Sequence, residues 1–136
     1  LNIVRKRMPD GIHGETDGST IWVDDRLDEV QVVCTIQHEL IHIERGHRHR
    51  QPEEVETEVR YETARRLLPI DAMVGKCRFD VELTARMLMV TPRVLMDRAA
   101  TLTDEEAKEV GCNRCRACPT AAFRFQAPTA SEPVGA

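Results

Sequence analysis

The chain predicts an α+β fold, with a small N-terminal antiparallel sheet lying on one long helix and a helical C-terminal half after it. Three observations carry this. Strand-like runs and turn signals fill the first 23 residues, a stretch free of Gly and Pro runs from Val30 to Ile43, and later segments are short helical patterns bounded by Pro, Gly or capping residues. At 136 residues and 15.5 kDa the chain can bury one hydrophobic core without disulfide staples.

Taken in order, Ile3 to Arg7 and Thr20 to Val23 read as strands, with Pro9-Asp10-Gly11 and Asp17-Gly18 as turns. Asp28 followed by Gln31 makes a capping box, because each side chain can satisfy a backbone N–H that the first helical turn leaves free. In the helix that follows, Val33, Ile36, Leu40 and Ile43 form an apolar stripe that Val30, Cys34 and Ile41 widen, so burial on most sides is expected. Gly46 supplies its stop. Gln51-Pro52 opens the next helix and Leu68-Pro69 closes it. Asp71 begins a short helix, Asp80 to Met89 forms a second, and Thr91-Pro92 caps a third running to about Ala100. Thr103 caps the last, which Gly111 ends. The Val90-Thr91 turn has helix-turn-helix spacing, but Leu88, Met89, Val90, Val94 and Leu95 around it read as core packed against the N-terminal half.

One run dictates a chemistry. His38-Glu39-Leu40-Ile41-His42 is a His-Glu-x-x-His pattern, which on a helix puts both imidazoles on one face, converging on a single cation. Zinc suits that pair, since it takes imidazole nitrogen and tolerates an open fourth position. Glu39 on the adjoining face is placed to act as base toward a water at that metal. The competing account is a core helix whose two histidines bond to backbone carbonyls. The long metzincin pattern is excluded, because it needs Gly and His where Arg45 and Arg48 stand. The third ligand is then a Glu on the following helix, chosen from Glu53, Glu54, Glu56, Glu58 and Glu62. Val59, Thr63 and Leu67 form the inward stripe, and one turn back along that face lies Glu56, the expected ligand. Glu58 shares a wetter face with Tyr61, Glu62 and Arg65 and is the fallback; the remaining acids read as surface, paired with Arg60, Arg65 and Arg66.

With these residues placed, the sequence resembles the ImmA/IrrE-type metallopeptidases, in particular the small forms of actinobacteria and their phages. Ser19 to Leu27 resembles the family's strand before the active-site helix, Cys34 to His42 its zinc helix, Glu44 to His47 the stop, and Glu56 to Pro69 its second helix. The chain departs from the pattern at Val59 and Glu62, where the family carries Ala and an aromatic. The resemblance implies a zincin-like core over residues 1–110, Zn2+ on His38, His42 and Glu56, and Glu39 as general acid and base. It also implies cleavage of a DNA-binding repressor or similar regulatory protein. In zincins a sheet edge accepts the substrate as an added strand, which makes Ile21 to Val23 a candidate wall.

Composition sets the remaining bounds. No apolar run reaches membrane-spanning length and Leu1 to Arg7 lacks a signal-like core, so a cytoplasmic protein with reduced thiols is expected. A net charge of -4 argues against a dominant nucleic-acid surface, and the basic Arg45 to Arg50 cluster reads first as a solvated loop. Residues 111–136 read as a largely disordered, Cys-containing tail; Cys112, Cys115 and Cys118 read first as free thiols, since a closed zinc site needs a fourth ligand, from Cys77, a histidine or a second chain. His13 lies in a loop and reads first as surface, with a third metal nitrogen as the alternative, and Tyr61, His47 and His49 are the candidates for stabilising an oxyanion. Three functions compete: a zinc endopeptidase acting on a protein partner, a catalytically silent zincin-like module that sequesters one, and a DNA binder using the C-terminal helices. The motif favours the first.

Overall fold

The structure is a computed structural model that describes residues 1–76, 78 and 80–111, so Cys77 and the tail thiols Cys112, Cys115 and Cys118 lie outside the described residues. Its elements are β1 (Asn2–Lys6), β2 (Gly14–Thr16), β3 (Thr20–Asp24), α1 (Glu29–Glu44), α2 (Glu53–Leu67), α3 (Ile70–Met73), α4 (Val81–Met87), α5 (Pro92–Thr101) and α6 (Asp104–Val110). The α+β class holds. The chain clusters into two compact units, the first ending at Thr63 and the second beginning at Ala64, so the division falls inside α2. Among the described residues no helix is long and apolar enough to cross a membrane.

In the first unit the sheet order is β1-β3-β2, and it is mixed rather than antiparallel. β2 pairs antiparallel with β3, but β1 pairs parallel with it, Ile3 opposite Ile21. The reason lies between Arg7 and Ser19. β2 and β3 form the hairpin, leaving β1 to join from the far side. Asp17 fixes that hairpin: its Oδ1 accepts bonds from the Ser19 N–H and hydroxyl and the Thr20 N–H, while Gly18 takes a φ of +99°. β3 is thus the central strand, bonded along both edges, so Ile21 to Val23 cannot accept an added strand.

Alternation along β3 buries Ile21 and Val23, which with Leu27 form a core covered by Val32, Ile36, Leu40 and Ile43 of α1. Each such aliphatic side chain contributes roughly 1.5–3 kcal/mol when fully buried. The entry to α1 is pinned from two sides. Arg26 bonds the Asp24 carboxylate and the Met8 carbonyl, and Arg5 donates to the Leu27 carbonyl at 2.9 Å. The expected capping box then starts the helix: the Gln31 N–H donates to Asp28 at 2.8 Å and the Asp28 N–H to the Gln31 amide oxygen at 3.0 Å.

The apolar stripe read from sequence is only partly the buried face. Val33 is 55% exposed, whereas Thr35 is 1% exposed and Glu39 and His42 are buried. The inward face of α1 is rotated toward its polar groups.

The second unit follows the sequence closely at its caps. Asp80, Thr91 and Thr103 each cap a helix, and Thr103 and Glu106 form a capping box. Contacts join α4 to α5 and α3 to α6. Val90, Val94 and Leu95 are buried as expected. Met89 is not: it is 71% exposed with a φ of +57°, the helix stop having claimed its position. Arg98, 4% exposed, donates to the Leu68 carbonyl at 2.7 Å and holds the end of α2.

Candidate metal centre

Thr35, His38, Glu39 and His42 stand three, four and seven residues apart, which brings them to one side of α1. That side meets β2, where Gly14 allows close approach. A Cβ on Gly14 would stand 2.5 Å from Thr35 Cγ2 and 2.9 Å from the Trp22 carbonyl oxygen, so any larger residue would push the strand off the helix. From the other direction α2 contributes Glu56, which lies one turn before Arg60 on the helix's buried face.

Three donor atoms converge. His38 Nε2 and His42 Nε2 are 3.1 Å apart, and Glu56 Oε2 lies 3.4 Å from the first and 3.0 Å from the second. Tetrahedral zinc with bonds of about 2.0–2.1 Å would set neighbouring donors roughly 3.3 Å apart, so the trio already has the spacing of one tetrahedral face. Their side chains are 12%, 6% and 8% exposed. The other Glu56 oxygen accepts the Gln51 N–H at 2.9 Å, which fixes the carboxylate's rotation. Glu58, the fallback, has a side chain 71% exposed and lies 3.9 Å from Arg45 on the outer face.

The electrostatics suit these roles. Burial pushes the Glu56 carboxyl up, but bonds from the two imidazoles and the Gln51 N–H outweigh it and hold the group well below the usual carboxylate range. Burial lowers the His38 pKa, with Glu56 working against it, which favours the uncharged ring that ligation requires. Glu39 is raised to about 7, chiefly by burial; Glu56 and Glu15 add to the rise while His42 and Arg50 oppose it.

His42 has a partner that the sequence left unidentified. Its Nδ1 lies 3.0 Å from Nδ1 of His47. The helix stop creates this contact. Gly46 takes a φ of +75°, the Gly46 N–H bonds the Ile43 carbonyl and the His47 N–H bonds the His42 carbonyl at 2.9 Å, a Schellman turn that folds residue 47 back over the last turn of α1.

A cavity of about 320 Å³ opens over the three donors. Gly14, Glu15 and Thr16 of β2 line it on one side, and Arg48, His49 and Arg50 of the α1–α2 connection on another. Of the three candidate oxyanion residues, only His49 reaches the cavity. His13 lines it as well, with its Nδ1 buried and unpartnered among the described residues, so it is not plain loop surface. Arg60, read from the sequence as surface, is 8% exposed and also faces this space. Thr35 and Arg60 were recoverable from helical spacing to His38 and Glu56; nothing local marked Gly14. No protein-family model, curated protein or solved structure matches the chain.

Proposed function

We propose that this protein is a zinc-dependent endopeptidase of the ImmA/IrrE kind, with a DNA-binding repressor or a similar regulatory protein as its substrate. The observation that carries the reading is the convergence of His38, His42 and Glu56, whose donor atoms all lie within 4.8 Å of one another. Two imidazoles and one carboxylate are a donor set zinc accepts with a position left open.

Zinc held there would polarise a scissile carbonyl and lower the pKa of water from about 15.7 toward 7. Glu39 takes the proton of the attacking water and returns it to the leaving amine. Its burial favours this work, because a carboxyl raised to about 7 gives up and regains a proton easily near neutral pH. Glu56 and the His38 ring hold their places as donors, the former oriented by the Gln51 N–H. β2 is the sheet edge beside the site, with β3 on its other side, and its outward N–H and C=O groups suit a peptide bound as an added strand. The repressor substrate is supported by the family resemblance alone.

Replacing Glu39 by Gln tests the reading. The variant is expected to retain zinc, measured by metal analysis, and to lose cleavage of the co-expressed repressor by about 10²–10⁴-fold. Full cleavage by that variant would remove Glu39 from the mechanism. An unchanged repressor response without any cleavage, in both proteins, would favour the sequestering module instead.

A further inference from the structure

We propose that Arg48 and Arg50 form a subsite that binds a carboxylate of the peptide lying across the metal centre. The proposal rests on the peptide-binding part of the reading above and names what that peptide carries.

The basic run after α1, which by sequence is a solvated loop first and substrate-facing second, lines the cavity at Arg48, His49 and Arg50. Arg60 follows the candidate ligand Glu56 by four residues on α2, so helical geometry points both toward the same space, and Arg60 is 8% exposed. The Arg48 stem is held across the rim: a Cβ on Gly18 would meet Arg48 Cγ at 3.4 Å, so the arginine lies against the β2–β3 turn. Arg50 is near enough for its charge to act on Glu39, and Arg60 near enough to act on His38. These cations therefore border the position where a scissile bond would sit.

Two of the acids that line the cavity are engaged within their own elements or at the candidate centre. Asp17 accepts three bonds inside its own turn, and Glu56 is engaged by two imidazoles and the Gln51 N–H. Glu15 of β2 and Glu39 of α1 line the cavity as well. Arginine presents a planar fork of donors matched to the two oxygens of a carboxylate. A phosphoryl group would bring a second negative charge toward Glu15 and Glu39, so the singly charged planar anion is the better fit. Two sources share this chemistry: an Asp or Glu side chain within the peptide, and a free chain end.

The experiment measures binding, so it does not depend on turnover. The full chain carrying Glu39→Gln, loaded with zinc, is titrated calorimetrically with an alanine-based decapeptide. Glu or Gln is placed at each position in turn, each peptide with a free or an amidated C-terminus. Glu at one register is expected to bind about tenfold more tightly than Gln, since charge-assisted bonds exceed neutral ones. A tenfold dependence on the free terminus instead would assign the subsite to a chain end. Arg50→Glu should abolish the preference and transfer it to Lys, Arg50→Lys should keep most of it, and Arg7→Gln, outside the cavity and paired with Asp25, should leave it unchanged. Equal affinity for the carboxylate and all-amide peptides would overturn the proposal, as would a preference that survives Arg48→Glu and Arg50→Glu together. Wild-type cleavage of peptides without regard to acidic residues would remove this inference and leave the peptidase reading intact. Carboxylate-dependent binding with no cleavage would do the reverse.

Discussion

A neutral imidazole can bind a cation through Nε2 only if Nδ1 carries the proton, and a buried N–H needs an acceptor. In the proposed centre His42 would donate from Nδ1 to His47 Nδ1, 3.0 Å away, and the second ring's own proton would sit on Nε2. Such outer partners are more often carboxylates or carbonyls, and their loss weakens metal binding by about 10–100-fold. His47→Leu is therefore expected to lower zinc affinity by that factor in a chelator competition, with the fold intact by circular dichroism. His47→Asn, whose amide oxygen can accept the same proton, should recover part of the loss. Equal affinity for wild type and the Leu variant would assign the contact to packing alone.

At the scale of elements, two helices end in the same way with different residues. α1 stops with Gly46 at a φ of +75°, and α4 with Met89 at +57°, in each case with the following N–H reaching back five residues to a carbonyl. A side chain in this conformation costs roughly 1–2 kcal/mol. Gly46→Ala is expected to destabilise the protein by about 1 kcal/mol in urea unfolding through backbone strain alone, since nothing lies within 4 Å of the added Cβ. It should also loosen His47 and weaken zinc binding in step. Met89→Gly should stabilise by up to about 1 kcal/mol, because the side chain lost is 71% exposed. The same contrast explains what sequence could reveal. Asp28 with Gln31 and Thr103 with Glu106 satisfy local N–H groups within three residues, so their spacing alone exposes them. Glu56 was legible because its helix repeats Val59 and Thr63 on one face. β2 was not, since Gly14-Glu15-Thr16 carries no apolar alternation and owes its pairing to β3. The rotation of α1 was hidden for a different reason. Periodicity assumes that the apolar stripe faces inward, and here polar Thr35, Glu39 and His42 share the buried side because the candidate centre lies there.

For the molecule as a whole, acid sensitivity is built into both units through carboxylates engaged in turns and caps. In the first, bonds from Arg26 hold Asp24 below the usual carboxylate range, and the Ser19 and Thr20 N–H groups do the same for Asp17. In the second, the Thr103 N–H lowers Glu106. A depressed folded pKa means that the unfolded chain binds protons first as pH falls. Stability from these groups is thus complete above the unfolded values near 4 and is lost as pH drops through the lower folded ones. Urea midpoints measured from pH 7 downward should hold steady with respect to these three carboxylates until about pH 4–5 and then decline. Asp24→Asn should flatten part of that decline, since the amide cannot titrate, while lowering the neutral midpoint through the weakened bond to Arg26. An acid limb as steep in that variant as in wild type would place the acid response elsewhere in the chain.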